Sequence, residues 1–299
     1  MRHPRRPLTL CSAGLAALLS LTLSVQSALA QNPPPPTYSP EQLDKLVARV
    51  ALYPDPLLAQ ILTASTFTDQ IPDAAKWADE HHYLQGQELS QAITNDQLPW
   101  DPSVQALLPF PSVLDMMASD MNWTTDLGNA VLAGRDAVMD AVQRARHKAR
   151  QYGYLNSGGP IVVSGDTYVE ILPTNPAFIV VPVYDPFVVY APPRPGFVIG
   201  AAIGFGFGVG IGAWFRPWGW GATRIVWANH AVFINNVRWE RTWVNRRDYV
   251  HPYPGVHRYA PAARVEHHDL VRRSDAERSA AREGRVFHEE HEHHGDHHH

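Results

Sequence analysis

Ser39-Pro40-Glu41-Gln42-Leu43-Asp44-Lys45-Leu46-Val47-Ala48-Arg49-Val50 is the stretch that sets the fold class. Ser39 can cap a helix whose first turn holds Pro40. Gln42 stands where its side chain reaches back to the cap. Leu43, Leu46, Val47 and Val50 then recur at i, i+3, i+4 and i+7, one buried stripe of an amphipathic helix. The pattern restarts at Asp55-Pro56 with Leu57, Leu58, Ile61 and Leu62. Further helical patterns follow Pro72 (with Trp77), Asp101-Pro102 and Pro111-Ser112. Others run from Glu88 to Thr94, from Thr124 to Ala133 and from Arg135 to Tyr152. The last ends in Arg144, Arg146, Lys148 and Arg150, cations that suit the negative end of a helix dipole. Residues 38–152 thus read as six to eight short helices in a compact bundle, able to bury their stripes against each other and to fold alone.

From Gly153 the period changes. Asp166–Leu172, Ala177–Tyr184 and Phe187–Tyr190 are rich in Val, Ile, Phe and Tyr and are punctuated by prolines, as short strands are. A second β segment spans Thr223–Val244, with Asn235-Asn236 placed for a tight hairpin turn. Charge changes at the same place: residues 38–152 carry 15 acids and 8 bases, residues 153–299 carry 14 of each. The expected class is α+β, a helical bundle followed by a small β-rich part. The expected order is signal peptide (1–30), Pro-rich spacer (31–37), helical domain (38–152), short β-strand region (153–195), glycine-rich apolar segment (196–215), β-hairpin region (216–253) and a low-complexity, His-rich, disordered tail (254–299).

The N-terminus reads as an export signal. Arg2, Arg5 and Arg6 precede an uncharged Leu/Ala-rich run from Leu8 to Val25, and Ala28-Leu29-Ala30 offers a cleavage site, so the mature chain should begin near Gln31. Cleavage removes three arginines and no acid, taking the formal charge from −4 to −7. It also removes Cys11, the only cysteine, which excludes disulfides, thiolate ligands and cysteine nucleophiles from the mature chain. The expected location is the periplasm or cell envelope.

Residues 196–215 hold no charged residue, and Gly196, Gly200, Gly204, Gly208 and Gly212 recur every four residues. On a helix these glycines would form one smooth side for membrane contact or self-association, with Trp214, Trp218 and Trp220 at one end as at a membrane interface. Yet seven glycines in twenty residues cost roughly 1 kcal/mol each in an aqueous helix. From Gly204 to Gly212 glycine also alternates with Phe205, Phe207, Val209 and Ile211, which would share one face of a strand. A membrane-associated glycine zipper, a glycine-rich strand on the soluble β part, and a flexible loop all remain open.

Recognised catalytic motifs are absent: no G-x-S-x-G elbow, Walker loop, H-E-x-x-H or Cys pair. Three Asp-Pro steps, at Asp55, Asp101 and Asp185, read first as caps of helices or turns and second as carboxylates of a hydrolase. His81-His82 reads as a solvated helix end and His230 as a packed residue. In the tail, His288, His291, His293, His294, His297, His298 and His299 lie among Glu289, Glu290, Glu292 and Asp296, and would take up Zn, Ni or Cu(II) adventitiously. No other cofactor is called for, and nothing points to nucleic acid.

Three stretches carry a family resemblance: Leu52-Tyr53-Pro54-Asp55-Pro56-Leu57-Leu58-Ala59-Gln60-Ile61-Leu62, Pro99-Trp100-Asp101-Pro102-Ser103-Val104, and Val138-Met139-Asp140-Ala141-Val142-Gln143. With Val181-Pro182-Val183-Tyr184-Asp185-Pro186, they resemble the bacterial domain-of-unknown-function 3300 family over about residues 40–190. The resemblance implies an exported protein with a variable C-terminal region, and no activity, cofactor or catalytic residue. The first reading is therefore a non-enzymatic envelope protein that binds an envelope protein, a glycan or a membrane surface, with self-association through the glycine segment. A carboxylate-dependent periplasmic hydrolase and a metal-binding protein acting through the tail are the alternatives.

Overall fold

The computed structural model describes residues 33–196 and 199–252. The stretch expected to be an export signal and the His-rich tail lie outside the described residues. Helix α1 (Pro40–Val47) begins with the expected capping box: Gln42 N donates to Ser39 Oγ (3.3 Å), and Ser39 N donates to Gln42 Oε1 (2.7 Å). Leu43, Val47 and Val50 are buried. Leu46 lies at the margin, half-buried, its carbonyl accepting from Trp123 Nε1 (2.9 Å). Then come α2 (Asp55–Ala64), a 3-10 turn (Ser65–Gln70), α3 (Ile71–Glu80), α4 (Gly86–Asn95), α5 (Pro102–Gln105) and α6 (Pro111–Ser119). The long α7 (Met121–Gln151) is broken at Gly134 (φ −165°, ψ 72°), which separates the two helical patterns read from the sequence. It packs on α1 and crosses the 3-10 turn, while α3 packs on α6.

The β part is antiparallel. Strands β1 (Ile161–Ser164) and β2 (Glu170–Pro173) form a hairpin. Strands β3 (Phe178–Ile179) and β4 (Pro182–Tyr184) are successive pieces of one strand line. The glycine run folds back along it as β5 (Ile203–Phe205), paired with β4, and β6 (Val209–Gly210), paired with β3. Of the three forms left open for this run, a glycine-rich strand packed on the β part is the one observed. The zipper reading is corrected on this point: Gly196 and Gly212 sit at turns with positive φ, Gly200 in a 3-10 turn and Gly204 in β5, so no helix face collects the five glycines. No described helix is long and apolar enough to cross a membrane. The interfacial reading of the tryptophans is corrected as well. Trp218 and Trp220 are buried in the core, donating to Gln105 Oε1 (3.0 Å) and the Ala106 carbonyl (2.9 Å), and only Trp214 is exposed.

Phe187–Tyr190 is likewise not a strand. Pro186–Val189 is a single helical turn, α8, because Asp185 caps it through Phe187 N (2.8 Å) and Pro186 supplies the starting φ. Strands β7 (Arg224–Val226), β8 (Ala231–Ile234) and β9 (Val237–Arg238) complete the fold. The β8–β9 turn is Asn235-Asn236, with φ of 50° and 61°, as the hairpin reading requires.

The change at residue 152 is a change of secondary structure, and the core runs across it. Trp218, Trp220, Ile225, Trp227, Val232, Ile234 and Trp239 share one apolar cluster with α1–α7. An isolated 38–152 segment would expose the helix surfaces that these residues cover.

The tightest crossing in the helical part involves Gly128 of α7. A Cβ there would stand 2.1 Å from the Ser65 carbonyl oxygen, which is backbone and cannot swing aside. Gly128→Ala should therefore destabilise the protein by about 3 kcal/mol, read as a lowered urea midpoint with native far-UV circular dichroism. An unchanged midpoint would show that the crossing is looser than described.

Candidate functional site

The three Asp-Pro acids occupy three separate settings. Asp55 accepts from Arg146 Nη1 (2.6 Å) through Oδ1 and from Trp227 Nε1 (2.8 Å) through Oδ2. The side chains of Arg146 and Asp55 are 0% and 4% exposed. Arg146 also donates to the carbonyls of Ala51 (2.7 Å), Tyr53 (2.9 Å) and Val169 (2.8 Å), and stacks on Trp227 at 4.7 Å. Asp101 caps α5, accepting from Ser103 N (2.9 Å) and Oγ (2.5 Å). Burial pushes its carboxyl up to about 6, against the pull of the Ser103 bonds and Arg241. Asp185 is exposed and caps α8. No two of them share a partner, so the geometry brings together no acid–base pair from this set. His230 Nε2 meets Asp140 Oδ1 at 2.8 Å, a surface pair rather than a packed imidazole. Among the described residues no group of three or more His, Cys, Asp or Glu is placed to hold a metal. The tail histidines lie outside them.

The cleft that can receive a ligand lies elsewhere. It encloses about 520 Å³ between the corner joining α3 to α4, the turn before α6, and the glycine ribbon. On the corner, His81 stacks on Trp77 (centroids 3.9 Å, interplanar 15°), and Trp77 is held by Asp96 (Nε1 to Oδ2, 2.7 Å). His81 Nδ1 meets the Trp77 carbonyl (2.8 Å) and His82 Nδ1 the Asp79 carbonyl. A carbonyl can only accept, so each Nδ1 carries a proton, and Nε2 is the nitrogen each ring has left for a ligand. The doublet that reads as a solvated helix end thus becomes one lip of a cleft, with Gln85 beside it.

The opposite lip is made by a register shift. Pro182 faces Phe205 and Ile179 faces Val209, so residues 206–208 oppose only residues 180 and 181. Gly206 N bonds the Val181 carbonyl (3.4 Å), and Gly208 lies beside Val180, which leaves Phe207 as the surplus residue of a β-bulge. The bulge flips the strand's facing. Val209 and Ile211 pack into the large core, whereas Ile203 and Phe205 pack into a second cluster with Val180 and Ile171. The single apolar face expected for Phe205, Phe207, Val209 and Ile211 is therefore split, and Phe207 is left fully exposed over the cleft. Phe178 lies over Gly208 and Gly210, 3.5 Å from where a Cβ on either would stand, so these glycines serve as a bed for an aromatic side chain. Tyr83 and Trp214, both exposed, border the same cleft at His82 and Gly86.

Sequence reasoning missed the parts played by Arg146, Gln143, Trp227 and Phe207. The signal for Gln143 was its place in the 138–143 motif; it clamps Val169 through both amide atoms (2.7 and 3.1 Å). Residues 39–259 match the family described as Protein of unknown function (DUF3300), and the chain belongs to that family. It is 34% identical over 186 residues to the uncharacterized protein YacH of Escherichia coli (strain K12), a match covering 51% of this chain and 30% of YacH. The aligned part thus spans less than a third of that relative's length. No solved structure matches. Of the stretches that carry the resemblance, 52–62 supplies Asp55 to the Arg146 network and 138–143 supplies Gln143, which binds Val169 beside it, while Asp101 and Asp185 cap helices elsewhere.

Two stability experiments follow from these groups. Arg146→Met leaves the Asp55 carboxylate buried without its cation and should cost about 3–5 kcal/mol, whereas adding Asp55→Leu should recover much of the loss. Equal losses in the single and double variants would show that the pair is not coupled.

The second concerns pH. Burial lowers His251 to about 3, so its contribution is present above the unfolded value of 6.5 and is lost as pH falls from 6.5 toward 3. Asp101 works in the opposite sense. Its raised value stabilises the fold most below 3.8, and that gain is lost as pH rises toward 6. Between about pH 4 and 6 the two slopes nearly cancel. Asp101→Asn should unmask the histidine as a stability loss of about 1.3 kcal/mol per pH unit on acidification, read from urea midpoints. A slope equal to wild type would refute the assignment.

Proposed function

We propose that the protein is a non-enzymatic binding module of the bacterial cell envelope, and that its ligand is an envelope glycan held in the cleft between the His81–Gly86 corner and the bulged glycine ribbon. The observation that carries this reading is a pair of exposed aromatic rings, Phe207 and Phe178, lining one cleft whose polar lip is two imidazoles and an amide, with exposed Tyr83 and Trp214 beside its lining residues His82 and Gly86. A pyranose ring has an apolar C–H face and a rim of hydroxyls. The aromatic faces suit the first, and His81, His82 and Gln85 suit the second. Exposed apolar area of this kind is maintained where something covers it. The N-terminal export pattern supports a ligand on the far side of the inner membrane. The glycines contribute by admitting rings and ligand close to the backbone.

Binding of the full chain to purified peptidoglycan sacculi tests this. Phe207→Ala should weaken binding at least tenfold while leaving the thermal melt unchanged, since the ring touches little of the core. Sacculi that fail to retain the wild-type chain, or that retain the variant equally well, would refute the proposal.

A further inference from the structure

A second surface, away from the cleft, has a different chemistry. Of the eight bases in the otherwise acidic stretch 38–152, four line one groove of about 440 Å³: Lys45 and Arg49 from α1 and the turn after it, Arg144 and Lys148 from α7. Each pair is spaced i, i+4, so each side of the groove contributes a stripe of cations one turn apart. Among the described residues, Asp44 is the only acid lining the groove. It is bound to Arg144 (2.6 Å), and Arg49 is bound to Asp120 (2.8 Å). Neither lysine has a salt bridge among the described residues; Glu41 lies within electrostatic reach of Lys45 and Arg144, and the four lining cations still outnumber Asp44, Asp120 and Glu41 together.

At its edge stands Phe187, 90% exposed. Its projection is fixed, not incidental. Asp185 caps the turn that carries it, and Tyr184 and Tyr190, on either side of that turn, both donate to the Ala48 carbonyl (2.9 and 3.1 Å). The phenyl ring and the cationic stripes are thus held in one rigid unit. A protruding aromatic ring beside cations is the combination that interfacial binding uses: the ring enters the acyl boundary while the ammonium groups meet headgroup phosphates.

We propose that the α1–α7 groove with Phe187 is a docking surface for an anionic phospholipid membrane. Charge complementarity selects the occupant. A neutral partner would leave the lysines unanswered, and a small soluble anion would have no use for Phe187. The proposal does not rest on the glycan reading, since no residue of the groove lines the cleft.

Vesicle co-sedimentation of the full chain at pH 7.5 is the test, comparing phosphatidylcholine vesicles with and without phosphatidylglycerol. The expected result is binding that requires phosphatidylglycerol and weakens with salt. It should weaken roughly fivefold for each of Lys45→Ala and Lys148→Ala, and again for Phe187→Ala at fixed charge. All three positions are at the surface, and a circular dichroism melt verifies that each variant is folded. Phe207→Ala should bind vesicles as wild type does, which separates this surface from the cleft. Absence of binding to phosphatidylglycerol vesicles overturns the proposal. So does binding that survives all three substitutions, which would place the contact on another segment. Loss with the lysines but not with Phe187 would point to soluble anions and overturns it too.

Discussion

One buried ion pair organises the chain. Arg146 is withdrawn from water together with Asp55, and a desolvated guanidinium is tolerable only if its donors are answered. The answers come from the 51–55 loop, from the Val169 carbonyl ahead of β2, and from the face of Trp227 beyond β7. Four stretches distant in sequence are thereby held in one arrangement, since a shift in any of them leaves a buried charge or carbonyl unanswered. The benefit lies more in geometry than in net energy: apolar residues could fill the space but would not dictate the alignment. Gln143, one turn before Arg146, repeats the principle with neutral groups at Val169.

How much of this was legible depends on the range of the interaction that decides each element. Caps and turns are local, so Ser39 with Gln42, the Asp101 and Asp185 caps, and Asn235-Asn236 could be read directly, whereas Asp55, read as a cap, opens α2 without capping it and binds Arg146 and Trp227 instead. Arg146 could not, because its neighbours Arg144, Lys148 and Arg150 are all solvent-facing to some degree and the run as a whole looks like a helix end answering its dipole. Only the tertiary approach of Asp55 sets one cation of the four apart. Tryptophans 218 and 220 misled for the same reason. An indole near apolar residues suits an interface or a core, and the carbonyl and amide that settle the matter come from α5 and the turn after it.

The glycine run shows a subtler limit. Its alternation is a correct strand signal, but strand parity persists only while pairing is regular. A single surplus residue, decided by the partner strand at 180–181, reverses it. That reversal lets one ribbon bury Ile211 in the main cluster and Phe205 in the smaller one, and it strands Phe207 at the cleft. The candidate site is in this sense a by-product of joining two apolar clusters. Its opposite lip needed only a helix end, where the Trp77 and Asp79 carbonyls, which also accept the His81 and His82 backbone amides, fix two imidazoles.

The bulge also bears on solubility. A two-stranded ribbon has both edges open, and a long flat edge rich in Phe, Val and Ile would template the addition of further strands. Here the regular ladder runs for three residue pairs, breaks at Phe207, and resumes for two. Each piece is shorter than the six or so residues that a stacked cross-β segment requires, and the kink between them misaligns the two hydrogen-bonding rows. An apolar, uncharged stretch is thus rendered a poor template for strand addition by one extra residue.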